Sequence, residues 1–142
     1  MAGKNDKYYA EMIGTFLLTF IGSMAVVSFA GTSLAFGSAS LLAIALAHGL
    51  ALAIAVYAVG HISGAHVNPA VTLGFLVLGK IKLGDAGKYI LSQLVGAGFA
   101  GLLVGYLALN SSLQAAFGAP LPGQGTSPLL AAMIEIVLTA IL

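Results

Sequence analysis

The chain places its chemistry-bearing residues where charge is missing. No Asp, Glu, Lys or Arg occurs from Met12 to Gly79, yet His61-Ile62-Ser63-Gly64-Ala65-His66-Val67-Asn68-Pro69-Ala70-Val71-Thr72 gathers His, Ser, Asn and Thr with a glycine and a proline. His61 and His66 invite a metal reading, but without Cys or a nearby carboxylate the ligand set is too thin. Ser63 lacks an orienting acid in the local sequence, so nucleophilic catalysis is unsupported. Gly74-x-x-x-x-Gly79-Lys80 opens like a phosphate loop but continues with Ile81 instead of Ser or Thr. No catalytic residue, metal or cofactor is therefore expected, and the chain does not read as an enzyme.

What the stretch can do is present backbone. Irregular backbone at membrane depth is tolerated only where protein buries it or water lines it, because each unsatisfied N–H or C=O in hydrocarbon costs several kcal/mol. Asn68-Pro69 reads as a helix start, since Asn is a favoured N-cap and Pro suits the first helical position. The helix that follows, Pro69 to about Leu78, covers roughly 15 Å at ~1.5 Å per residue, half a bilayer core. Its N-terminus brings free N–H donors and partial positive charge to mid-membrane, which repels cations and offers hydrogen bonds to neutral polar molecules.

The elements that must position this loop are apolar spans. Of the 142 residues 60% are hydrophobic and 6% charged, and the mean hydropathy is +1.08; soluble domains average about 25% charged. A net charge of +1 argues neither for nucleic acid nor for an acidic partner, so no nucleic-acid partner is expected, and the absence of Cys removes any disulfide framework. The polar head covers residues 1–8, and spans are expected at about 9–30, 41–59 and 89–109, with the loop and half-helix at 60–79. A Gly/Ser/Thr-rich connection falls at 31–40 and an outer loop at 111–128, where Asn110-Ser111-Ser112 is a glycosylation sequon. Residues 129–142 form an apolar piece too short to cross, the start of a fourth span. The first apolar run exceeds the core of a signal peptide and lacks a cleavage pattern, so a retained helix is expected.

All five basic residues, Lys4, Lys7, Lys80, Lys82 and Lys88, lie in the head or just after the half-helix. If the half-helix dips in and returns, both groups share one side, which the positive-inside rule makes cytoplasmic. An internal echo adds to this: Ala10-Glu11-Met12-Ile13-Gly14-Thr15 is matched by Ile134-Glu135-Ile136-Val137-Leu138-Thr139, with Glu and Thr in register. An odd number of spans separates the copies, so they point oppositely, as in inverted repeats.

Ser63-Gly64-Ala65-His66-Val67-Asn68-Pro69-Ala70-Val71-Thr72 resembles the first signature loop of the aquaporin (major intrinsic protein) family of water and small-solute channels. The resemblance implies an all-α membrane protein with a right-handed bundle, here one repeat of three spans plus a re-entrant half-helix and the opening of a second repeat. It implies a passive channel for water and small neutral solutes such as ammonia, urea or glycerol, multi-pass in the plasma (inner) membrane, N-terminus cytoplasmic, and a homotetramer when complete. Asn68, Pro69 and Ala70 would be the pore motif, with the carbonyls of Gly64, Ala65, His66 and Val67 as a ladder along the pore. The family's second Asn-Pro-Ala half-helix and the filter arginine that follows it are absent from these residues.

Three further roles follow from the resemblance. His48, twenty residues before Asn68, falls at a position that contributes to the narrow filter, and a His there is similar to plant vacuolar (tonoplast) aquaporins; the competing reading is a structural His bonded to a carbonyl. Glu135 would hydrogen-bond the loop around His66, Glu11 would do the same for the absent second loop, and Gln93 would satisfy loop backbone. A secondary transporter with broken helices is the alternative of another class, with few intramembrane acids for ion coupling; a non-conducting fragment needing a second half is the third.

Overall fold

The computed structural model describes residues 3, 5–30, 38–109, 118 and 125–141. Within them the chain forms five helices: α1 (Asp6–Ala30), α2 (Ser38–Ser63), α3 (Pro69–Val77), α4 (Leu83–Leu109) and α5 (Pro128–Ile141). The expected connection at 31–40 and the outer loop with its sequon lie largely outside the described residues.

Among the described residues three helices are long and apolar enough to cross a membrane: α1, α2 and α4, with 25, 26 and 27 residues. At ~1.5 Å per residue each is roughly 40 Å long and overreaches a hydrocarbon core of about 30 Å. That surplus corrects the expected bounds. α2 runs on to Ser63 instead of stopping near 59, and α4 starts at Leu83 instead of 89, so the charges read as a connection belong partly to its first turns. Asp85 sits in the first turn of α4, where a carboxylate complements the positive end of the helix dipole.

Large apolar side chains point outward, as on Leu42, Leu46 and Leu50 of α2 and Leu91, Leu94 and Leu102 of α4. Most buried apolar side chains are small, among them Ala51, Ala55, Ala86, Ala100 and Ala108, with valines such as Val104 and the ring of Tyr89 as the larger ones. Lipid solvates leucine as well as a protein core does, so helices associate where small residues let backbones approach. Gly96 is the sharpest case: a Cβ there would lie 2.2 Å from the Met12 carbonyl oxygen of α1. α1 packs against both α2 and α4, and α3 packs against α4. α5 buries none of its residues.

The beginnings of α1 and α4 are tied together. Lys7 Nζ meets Asp85 Oδ2 at 3.0 Å, and Tyr8 donates its hydroxyl to Asp85 Oδ1 at 2.6 Å. Both members of the ion pair are about one-third exposed, so the pair itself is worth ~0–1 kcal/mol. Its information is topological: residues 7 and 85 lie at the same end of the bundle, and the half-helix between them therefore enters and returns.

Candidate functional site: the loop from Ser63 to Thr72

The loop between α2 and α3 has a backbone that its residue types do not favour. Gly64, Ala65 and Val67 have φ of 88°, 47° and 41°. Left-handed backbone is ordinary for glycine but costs L-residues roughly 1–2 kcal/mol, and for β-branched Val it is a genuine outlier. Such a conformation persists only where the surroundings impose it.

Glu11 imposes it. This carboxylate, fully buried on α1, accepts the N–H of His66 at 2.9 Å on Oε1 and the N–H of Val67 at 2.7 Å on Oε2. Ser63 Oγ donates to Oε1 at 2.7 Å and Gln93 Nε2 to Oε2 at 2.7 Å. Four donors occupy the four lone-pair directions of one carboxylate. Hydrogen bonds to a charged group contribute about 1.5–3 kcal/mol each, against several kcal/mol for desolvating the charge.

The amides of Gly64 and Ala65 are also turned inward. Gly64 N–H bonds the Gly60 carbonyl at 2.9 Å, and Ala65 N–H bonds Ser63 Oγ at 3.0 Å. Among the described residues nothing donates to the carbonyls of Gly64, Ala65, His66 or Val67. From Gly64 to Val67 the loop thus separates its polar backbone by sign: the N–H groups are bonded within the protein, and the carbonyls are left over.

These bonds correct the expected support roles. Glu11, and not Glu135, holds the loop around His66. Glu135 is exposed on α5 and lines a depression with Ala70, Val71, Gly74, Phe75 and Leu78 of the half-helix region. The reason is parity of crossings: two spans separate Glu11 from Ser63, so both lie toward the same end of the bundle. Gln93 does not reach loop backbone. It donates to the Glu11 carboxylate and, at 3.0 Å, to Thr72 Oγ1, and among the described residues its own buried Oε1 has no hydrogen-bond partner.

Asn68 ends the loop as the N-cap of α3, in extended backbone with φ −154° and ψ 128°. Its Oδ1 accepts the Ala70 N–H at 2.8 Å, and Pro69 takes the first helical position. Among the described residues Asn68 Nδ2 donates to none, so the amide keeps its donors free. At the other end of α3, Gly79 at φ 67° turns the chain, and Lys80 N–H closes on the Phe75 carbonyl at 2.8 Å.

His66 is buried and held on three sides. Its ring lies 4.4 Å from that of Phe75 and 5.1 Å from that of Tyr89, centroid to centroid. Nδ1 is 3.1 Å from Thr72 Oγ1, whose own hydroxyl donates to the Asn68 carbonyl at 3.1 Å. With that single proton committed, His66 Nδ1–H is the donor to Thr72. Sequence reasoning missed Tyr89, which donates to the Ser63 carbonyl at 2.8 Å. Tyr89, Gln93 and Gly96 belong to the buried stripe of α4, and polar residues at helical spacing within a stripe of small ones were the available signal. His61 is exposed and takes no part.

His48 lies apart from the loop, half-buried at the seam of α1 and α2. Its Nδ1 bonds the Ile44 carbonyl at 2.9 Å, which puts the proton on Nδ1 and leaves Nε2 an acceptor. The carbonyl bond of the competing reading is present, on a ring that is still partly exposed.

Three apolar spans around a re-entrant half-helix, entered through a loop of unpaired carbonyls, define an integral membrane protein of aquaporin-like fold. The family model described as Major intrinsic protein matches residues 3–142, and the chain belongs to that family. It is 39% identical over 127 residues to aquaporin Z of Rhodopseudomonas palustris, covering 84% of this chain and 52% of that protein. It is 38% identical over 135 residues to the glycerol uptake facilitator protein-like 6 of Lactiplantibacillus plantarum, covering 92% and 59%. Aquaporin TIP4-4 of Zea mays is 41% identical over 137 residues, covering 92% and 51%, so similarity along the chain does not single out the plant type that His48 resembles. Among solved structures, the aquaglyceroporin from Plasmodium falciparum superposes with a TM-score of 0.81 at 28% identity, covering 95% of this chain and 56% of that one. The chain thus spans between half and three-fifths of the length of these relatives.

Proposed function

We propose that these residues supply half of the wall of a passive pore for water and small neutral solutes. The observation that carries this reading is the sign separation of the loop: Ser63 and Glu11 take the amides of Ala65, His66 and Val67, and the carbonyls of Gly64 to Val67 are left as a line of acceptors. A dehydrating solute can exchange hydrogen bonds with such a line step by step, while the half-helix end and the Asn68 amide oppose cations. Asn68, Pro69 and Ala70 form the central motif, and His48 contributes to the narrow filter. Glu11, Ser63, Gln93 and Thr72 act as positioning residues, because none faces the open side of the loop.

Relatives whose names include both aquaporin and glycerol uptake facilitator support a solute range from water to small polyols, with ammonia and urea between. On this reading the N-terminus is cytoplasmic, which the lysines near the ends of α3 and α4 support, the protein sits in the plasma (inner) membrane, and the complete protein is a homotetramer. It is a channel and not an enzyme. The test is stopped-flow light scattering of proteoliposomes carrying the full-length protein. Water efflux well above that of empty vesicles, with a low activation energy, is expected; permeability at the level of empty vesicles would overturn the reading.

A further inference from the structure

The ring of His48 rests in a recess that exists only because residue 22 of α1 has no side chain. A Cβ built on Gly22 would lie 2.4 Å from His48 Nε2, 2.6 Å from Cδ2 and 3.0 Å from Cε1. The whole outer edge of the imidazole is therefore stacked over the Gly22 backbone. Further along the same seam, a Cβ on Gly14 would meet Val67, Val59 and Ala55, so α1 approaches its neighbours closely at both glycines.

We propose that Gly22 is a specificity-determining position: its missing side chain sets how far the His48 imidazole projects from the seam toward the pore. This rests on the reading of His48 as a filter residue. Two features decide which group yields when residue 22 gains a methyl. The α1 backbone is hemmed in one residue later, where a Cβ on Gly118 would come within 2.3 Å of the Ser23 carbonyl oxygen. The imidazole, in contrast, is the mobile end of a side chain tethered by one hydrogen bond to Ile44. The ring yields. A clash at 2.4 Å is about 1 Å short of ordinary contact. A water molecule is about 2.8 Å across, so a displacement of that size away from α1 takes a substantial part of a single-file opening.

A solute wider than water is affected first, because selectivity follows pore diameter where polar lining groups are unchanged. The experiment compares Gly22→Ala, His48→Ala and the double variant in the full-length protein, reconstituted at equal protein per vesicle. Water efflux is measured alongside glycerol and urea uptake. Gly22→Ala is expected to lower the glycerol-to-water permeability ratio by at least roughly fivefold, and His48→Ala to raise it. The double variant should match His48→Ala alone, since there is no ring left to displace. If His48→Ala shifts the ratio and Gly22→Ala does not, the role of Gly22 falls while the filter reading stands. If the double variant stays as restricted as Gly22→Ala, the methyl acts through helix packing and the proposal is overturned. If His48→Ala leaves the ratio unchanged, the filter reading fails and the inference fails with it.

Discussion

Glu11 Oε2 accepts the backbone N–H of Val67 at 2.7 Å, joining the second turn of α1 to the residue that stands immediately before the Asn68 cap. Because Val67 holds φ at 41°, this bond restrains a backbone that would otherwise relax toward extended geometry. The relaxed loop would turn its amides toward the open side and cancel the sign separation.

Glu11→Gln tests that restraint. An amide side chain offers one oxygen and adds an NH2 donor where four donors already converge, so two of them lose their acceptor. Leaving a buried donor unsatisfied costs about 1–3 kcal/mol. The variant is expected to unfold at a clearly lower temperature in detergent and to lose most water permeability at matched reconstitution. Parental thermal stability and parental water flux together would remove Glu11 from the positioning role.

Topology is checked by cysteine labelling. Introduced at Lys4 and Lys82, cysteines should react with impermeant reagent from the cytoplasmic side, and one at Gly123 from the opposite side. The Lys7–Asp85 contact already requires the first two regions to share an end of the bundle. Labelling of positions 4 and 82 from opposite sides would eliminate the re-entrant arrangement.

Residues 1–142 alone are expected not to conduct. α3 packs on α4, α5 buries none of its residues, and these residues would supply only half of the proposed pore wall. Proteoliposomes of this segment should swell at the rate of empty vesicles. Fast swelling by a species that cross-links only as a monomer would contradict the half-wall reading, whereas conduction by cross-linked dimers would support a pore built from two identical halves.

Asn68→Asp addresses ion exclusion in the full-length protein. The cap bond to the Ala70 N–H survives, since a carboxylate accepts it equally well, but the free amide donor becomes an acceptor and negative charge offsets the half-helix end. Such an end is worth about 0.3–1 kcal/mol to an exposed charge and up to ~2 kcal/mol to a partly buried one. Water flux should fall moderately, and cation current under voltage clamp should rise above the parental level. Channels that stay equally cation-tight at equal surface expression would shift the barrier away from Asn68.

Much of this architecture was legible in residue order because the bilayer imposes one-dimensional rules. A run without charge from Met12 to Gly79 must be helical or buried at membrane depth, and Asn68-Pro69 carries its cap chemistry locally. Both depend on neighbours in sequence, so α1, α2 and the start of α3 could be read without a structure. The partner of the loop could not be read this way. Glu11 and Glu135 occupy equivalent places in the repeated Glu/Thr pattern, and either is a plausible acceptor by residue type. What separates them is how each meets the loop: Glu11 is fully buried against its amides, whereas Glu135 is exposed beside the half-helix, and that is decided by how the helices pack. The positive φ of Ala65 and Val67 has the same origin: no local propensity favours it, and only a buried carboxylate from another span, with Ser63, Gln93 and Thr72 around it, holds the backbone there.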